Sequence, residues 1–224
     1  MKITIVLPIY NESKVIGSML NQLDSLQGDW EIIFSDGGCT DDTIQKIPAR
    51  YRVLKSPKGR ANQMNHGAAH ATSDVLWFVH CDSKIPSDAH AQITQAIALG
   101  NQWGCFHIGF DYDGPFMSCN TYFSNRRARN GIAFGDQGIW ITKELFDSMG
   151  GFPDLPIMED YEFSLRMKEA KISICQLPGT IVTSGRRYEN QFPPITMWQM
   201  FYLRCLYRKG VDIQEIARRY RDIR

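Results

Sequence analysis

Residues 77–83, "WFVHCDS", set His80, Cys81, Asp82 and Ser83 side by side where an apolar run from Val75 to Val79 stops. An imidazole, a thiol and a carboxylate in succession are groups that ligate metal, and a thiol beside a histidine can also be a nucleophile. The six cysteines include no C-x-x-C pair, which argues against a zinc ribbon or a thioredoxin-type centre. Cys81 lacks an accompanying His/Asn pattern and reads as a semi-buried spacer. His66 and His70 are spaced i, i+4, which can chelate zinc on a helix. They have no H-E-x-x-H context and no evident third ligand, so they read as surface histidines.

A second group of residues suits phosphate and sugar chemistry. Asp36 followed by Gly37 and Gly38 permits a tight turn in which a carboxylate accepts from a base N–H or a ribose hydroxyl. Lys58 and Arg60 can meet phosphate charge, and arginine does so with two parallel hydrogen bonds. No G-x-G-x-x-G follows the first apolar run, and no G-x-x-x-x-G-K-[ST] occurs, which disfavours a dinucleotide oxidoreductase or a P-loop NTPase. The pattern points to a nucleotide diphosphate.

These residues need a scaffold. β-Branched runs at 3–7, 31–34, 51–54 and 75–79 alternate with stretches of helical period: Val15 to Leu26, Ala61 to Ala71 and Ala89 to Ile97. Strands that are apolar throughout and alternate with helices predict an α/β domain with a mainly parallel central sheet flanked by helices. In such a sheet, ligands bind beyond the carboxyl ends of the strands. Pro8, Tyr10 and Glu12 follow the first run, Asp36 the second, Lys58 and Arg60 the third, and His80 and Asp82 the fourth. The second half is less regular. It predicts strands at 104–110, 138–142, 172–176 and 180–183, an arginine-rich helix at 116–129, and a helix starting near Glu159 or Asp160.

With 224 residues, 43% hydrophobic and 22% charged, the chain is an ordinary globular one, and a net charge of +1 gives no reason to expect nucleic acid. Scattered cysteines fit reduced thiols in a cytosol. The opening "MKITIVL" is too short to span a bilayer and lacks a cleavage site, so it reads as the first strand.

Five segments taken in order carry a resemblance: "IVLPIYNE", "DGGCTDDT", "GRANQMNHGA", "FVHCDS" and "MEDYEFSLRM", with "FGDQGIWI" before the last. Together they resemble a family-2 glycosyltransferase of GT-A fold over residues 3–185, most similar to small bacterial members without transmembrane helices. The resemblance implies an inverting transfer of sugar from a nucleotide-diphosphate sugar, with a UDP-sugar favoured, to a hydroxyl acceptor. It implies Mn²⁺ or Mg²⁺ held by Asp82, the last acid of an Asp-x-Asp motif in which His80 takes the first position. His80 is then either a metal contact or a hydrogen-bonded structural imidazole. Asp160 is implied as the base, with Glu159 orienting the site or touching the acceptor, and Asp136 and Gln137 as acceptor contacts. Pro8, Tyr10, Glu12, Asp36, Lys58 and Arg60 are the candidate donor contacts.

Arg126, Arg127 and Arg129 read as a solvated helix face or as contacts for a phosphorylated acceptor, and Arg186 and Arg187 as phosphate contacts. The expected organisation is a transferase domain at 1–190, with a nucleotide-binding half at 1–100 and an acceptor half at 101–190. A helical extension follows at 191–224. Its segment "ITMWQMFYLRCLYRKG" holds more apolar surface than one helix face hides, ahead of basic Arg218, Arg219, Arg221 and Arg224. It must meet the domain's core, a second subunit as a homodimer, or lipid. The last places a cytoplasmic protein at the inner face of the membrane, with a lipid-linked acceptor. A sugar nucleotidyltransferase and a catalytically inactive nucleotide-sugar-binding protein are the rival readings.

Overall fold

A computed structural model describes residues 1–112, 114–184 and 193–223, with the backbone alone at 115, 193 and 221–223. The expectations for Arg186, Arg187 and Arg224, and for the side chain of Arg221, fall outside the described residues. Four β-α units come first: β1 (Ile3–Ile9), α1 (Ile16–Ser25), β2 (Trp30–Asp36), α2 (Thr43–Lys46), β3 (Arg52–Lys55), α3 (Arg60–Ala69), β4 (Val75–Phe78) and α4 (Ala89–Ala98). Then follow β5 (Trp103–Phe110), α5 (Pro115–Arg129), a 3₁₀ turn (Gly135–Gln137), β6 (Trp140–Thr142), α6 (Lys143–Ser148), α7 (Glu159–Glu169) and β7 (Cys175–Thr183). Helices α8 (Pro193–Arg208) and α9 (Ile213–Ile223) follow the sheet.

The seven strands form one sheet in the order β3-β2-β1-β4-β6-β5-β7. All neighbours are parallel except at β6, which is antiparallel to both β4 and β5. The order reverses direction between β1 and β4, and their carboxyl ends flank the crevice where such sheets take ligands. Period two decides which residue serves which face. Ile3, Ile5, Leu7 and Ile9 pack with α1 and α4 on one side, and Val6 packs with Ala61, Met64 and Ala68 of α3 on the other. Helix α3 lies so close to β1 that a Cβ on Gly67 would stand 2.4 Å from Val6 Cγ1.

Three expectations need correction. The strands expected at 172–176 and 180–183 are one strand, β7, whose pairing with β5 slips between Phe106 and His107 at Pro178-Gly179. Helix α1 starts at Ile16, not near Glu12 or Ser13. Asn11 is left-handed (φ 57°), and the backbone N–H groups of Glu12 and Ser13 go to Thr43 Oγ1 (2.8 Å) and Asp41 Oδ2 (3.2 Å). That diversion delays the helix by a turn. Leu26 falls just outside the same helix, and Ala71 outside α3, although both still pack on the core.

Candidate active site

The loops after β1 and β2 clasp one another. Asn11 Oδ1 accepts from Thr40 N (2.8 Å), and Asp41 caps Thr43. Asp36, almost buried, accepts from the N–H groups of Gly38 (3.0 Å) and Cys39 (2.8 Å) through Oδ1. Those bonds shape the Asp-Gly-Gly turn. Beneath the turn, buried Gln63 of α3 donates through Nε2 to Ile9 O (2.7 Å) and Ser35 O (2.8 Å), tying both strand ends to the helix. Gly37 is packed so tightly on Gln63 that a Cβ there would meet its amide carbon at 2.8 Å. Pro8 pairs with Ser35 in the strand register. Tyr10 is exposed with the Lys58 ammonium over its ring, 4.1 Å from the centroid and 3.0 Å from the hydroxyl. That aromatic face and cation form one wall of the rim.

The loop after β4 is held from both sides. Gln22 of α1 donates to Ser83 O (3.1 Å) and accepts from Ile85 N (2.9 Å), while Lys84 makes a two-bond bridge to Val182 of β7. Cys81 turns into the core, where burial first, and then the negative charges of Glu12 and Asp82, hold its thiol well above the usual value. It is a spacer with two carboxylates near it. Asp82 and His80 are half-buried at the strand end. Among the described residues no three His, Cys, Asp or Glu side chains gather as a metal site. The Asp82 carboxylate nevertheless fits Mn²⁺ or Mg²⁺, which complete their shells with substrate phosphates and water, whereas an imidazole such as His80 is a ligand that Mg²⁺ does not favour.

Across the crevice stands the start of α7. Asp160 Oδ2 accepts from Gly135 N (2.7 Å) and Oδ1 from its own neighbour Tyr161 N (2.7 Å), so both oxygens are fixed in direction. A Cβ on Gly135 would lie 3.0 Å from His80 Nε2 and 3.5 Å from Asp160 Oδ2. The imidazole after β4 and the carboxylate of α7 therefore face the same small space, which glycine keeps open.

Glu159 is only 2% exposed and pairs with Arg60 at 3.3 Å, joining the donor-side helix α3 to α7. Burial raises the Glu159 pKa; Arg60 opposes that, and Asp160 adds to it. On Arg60, burial disfavours the charge, but Glu159 foremost, with Tyr220, Asp160 and Asp136, more than offsets it and raises the pKa.

Gln137 departs from the expectation of an acceptor contact. It is fully buried, its Oε1 accepts from Arg127 Nη2 (2.9 Å) and Phe134 N (3.3 Å), and its Nε2 points to Phe106 O (3.4 Å). It presents no atom to an acceptor and instead holds the 3₁₀ turn. Asp136, one residue earlier, is half-buried. Arg127 is likewise not part of a solvated face. Its guanidinium lies inward over the ring of Phe134, whereas Arg126 and Arg129 are exposed. The sequence reading passed over Gln63, Gly135 and Arg204, and it grouped Arg127 with its exposed neighbours. For Arg127 a signal existed: Met117, Ser124 and Ala128 mark the buried stripe of α5, and position 127 falls beside it.

Comparison with known proteins agrees with this architecture. The sequence model described as "Glycosyl transferase family 2" matches residues 4–135. An uncharacterized glycosyltransferase of Mycobacterium tuberculosis is 28% identical over 180 residues, covering 68% of this chain and 67% of that protein. Among solved structures, S. aureus TarS (residues 1–349) in complex with UDP-GlcNAc superposes with a TM-score of 0.64 at 17% identity. The match covers 82% of this chain and 58% of that one. Mannosyltransferase PcManGT from Pyrobaculum calidifontis, in complex with GDP-Man and Mn²⁺, gives 0.63 at 17% identity, over 90% and 60%. The chain thus spans about three fifths of each of these two solved chains, and the likeness establishes the GT-A fold.

Proposed function

Because the chain belongs to glycosyl transferase family 2, we propose that it moves a sugar from a nucleotide-diphosphate sugar to an acceptor hydroxyl, with inversion at the sugar carbon. The observation that carries this reading is the meeting of two sets of residues at one rim. Arg60 at the start of α3 pairs with Glu159 at 3.3 Å, and His80 after β4 borders the same gap at Gly135 as Asp160, whose carboxylate is held in orientation by Gly135 N–H. A UDP-sugar is the favoured donor. Tyr10 offers a ring for the base, Asp36 an acceptor for base or ribose, Pro8 and Glu12 line the turn, and Lys58 and Arg60 meet the diphosphate.

In the reaction the acceptor oxygen attacks C1 of the sugar from the side opposite the diphosphate. The C1–O bond breaks with its electron pair leaving on the nucleotide, and the acceptor proton passes to Asp160. Positioning and proton removal are the chemistry this chain supplies. Glu159 anchors Arg60, and Asp136 is an acceptor contact. Asp82 would hold Mn²⁺ or Mg²⁺, which when bound neutralises charge on the departing diphosphate.

The acceptor is brought by lipid in this proposal. Helix α8 packs inward through Leu203, yet exposes Ile195, Trp198, Phe201 and Tyr202, with the Trp198 and Tyr202 rings stacked 5.3 Å apart. Helix α5, which touches α8, adds exposed Phe116, Tyr122 and Phe123. Exposed Arg126, Arg129, Arg208 and Lys209 accompany this aromatic surface. Aromatic rings with cations beside them suit an anionic lipid surface at the inner face of a membrane. Among the described residues no helix is long and apolar enough to cross one.

Incubation with radiolabelled UDP-sugars and Mn²⁺ tests the assignment. Slow release of free sugar is expected without acceptor. Pyrophosphate exchange would instead indicate a nucleotidyltransferase, and binding without turnover an inactive protein.

A further inference from the structure

The site holds a second concentration of positive charge that donor binding does not use. Arg127 of α5 and Arg204 of α8 both approach the ring of Phe134, with Cζ 3.4 and 5.6 Å from its centroid. Arg204 has a second ring, Phe201, at 5.7 Å. Arg127 spends Nη2 on Gln137 Oε1 and Nε on Ile132 O (3.2 Å), which aims the remaining N–H groups of its fork. Among the described residues neither guanidinium takes part in an ion pair, and both are half-buried.

Two partly desolvated cations converge on one ring. Although Asp136 and Asp160 act on Arg127, the described residues give neither guanidinium a direct ion pair, an arrangement that folding alone does not favour. The ring they share offsets part of the cost, since a guanidinium over an aromatic face is attracted to it. Burial first, and then the charge of Arg204 against the pull of Asp136, lowers the pKa of Arg127 to about 10. Burial lowers that of Arg204 as well. An anion would relieve both effects at once.

Position indicates whose anion it is. Phe134 immediately precedes Gly135, whose N–H holds Asp160. Asp136 and Asp160 act electrostatically on Arg60 and on Arg127, so the acids stand near both the donor-side cation and this pair. We propose that Arg127 and Arg204 form a subsite for a phosphate group carried by the acceptor, next to the base. Each fork can offer parallel N–H donors to a tetrahedral oxyanion. The inference rests on the reading of Asp160 as the base, because that is what makes this the acceptor side.

The test is calorimetric titration of inorganic phosphate into the full-length protein, alone and with UDP and Mn²⁺ filling the donor site. Flotation with phosphatidylcholine vesicles, with and without phosphatidic acid, runs in parallel. Wild type is expected to bind phosphate in both titrations. Arg204→Gln should weaken that binding at least tenfold with UDP affinity unchanged, and Arg204→Lys should fall between. Arg127→Gln should do the same. Its melting temperature is recorded beside it, since Arg127 also supports the 3₁₀ turn. A loss seen only with phosphatidic acid vesicles supports the subsite and identifies the phosphate as a lipid's. Phosphate affinity equal in wild type and folded Arg204→Gln, with vesicle binding equal too, overturns the proposal and leaves the arginines as packing for α8. Should UDP give no heat with wild type, the donor reading fails by itself, and the titration without nucleotide still decides the subsite.

Discussion

Replacing Arg60 with methionine should destabilise the protein by an amount that depends on pH, and the structure fixes the direction. Glu159 lies 2% exposed, 3.3 Å from Arg60, whose side chain is 39% exposed. Taking one partner from a fully buried pair costs roughly 3–5 kcal/mol, because the other charge is left uncompensated. Arg60 reaches solvent, so water already screens part of the attraction, and roughly 2–3 kcal/mol is the figure expected at pH 8. Glu159 can escape the cost by taking a proton. Its folded pKa is already raised, so its contribution is fully present below its unfolded pKa and is lost as pH rises through the folded value. Without Arg60 that folded value rises further and the loss spreads to higher pH. The stability gap between wild type and Arg60→Met should therefore be small near pH 4.5 and widen toward pH 8, by at most about 1.4 kcal/mol per pH unit. Urea denaturation at pH 4.5, 6 and 8 measures it, and Arg60→Met/Glu159→Gln should recover most of the loss at pH 8. An equal gap at every pH, or a double variant no more stable than Arg60→Met, would mean that the pair is not a buried charge pair in solution.

Asp160→Asn should lower turnover by about 10²–10⁴-fold with little change in donor affinity; near-wild-type transfer would move the base to Glu159 or Asp136. Asp82→Asn should weaken Mn²⁺-dependent UDP-sugar binding in calorimetry while the melting temperature stays put, and unchanged metal-dependent affinity would remove Asp82 from the metal site. Trp198→Ser/Phe201→Ser should abolish flotation with anionic vesicles and leave neutral vesicles unaffected. If wild type ignores both vesicle types and sediments as a dimer, a second copy covers α8 instead.

The first hundred residues were legible because β1 and β4 are buried on both faces and α1, α3 and α4 each show a single stripe. Length and period then leave little ambiguity. β6 was harder, since three residues carry no sign of direction, and its antiparallel run depends on the β5–α5 excursion that precedes it. Pro178-Gly179 looks like a strand break in sequence, yet the chain slips past it and resumes pairing. The strand-end acids were found through their place after apolar runs. Gln63 was not, because a buried glutamine has the same local pattern as an exposed one until the carbonyls of Ile9 and Ser35 are seen to need a donor. Arg204 sits in a segment read only for its apolar excess, and nothing short of the folded chain brings it to Phe134. The pairing of Arg60 with Glu159, 99 positions apart, was equally invisible.

The place of β4 in the sheet bears on how the chain is made. Its outer neighbour is β6, which begins at Trp140, and the rings that cover Phe78 belong to Phe146 and Phe152. A nascent chain that has emerged only to about residue 100 therefore carries β1, β2 and β3 with their partners, but β4 ends in an unpaired edge with a bare aromatic face. Such an edge invites pairing with another chain. The first hundred residues and the part that follows thus interlock through the sheet, and a ribosome must deliver about fifty more residues before the first part can close.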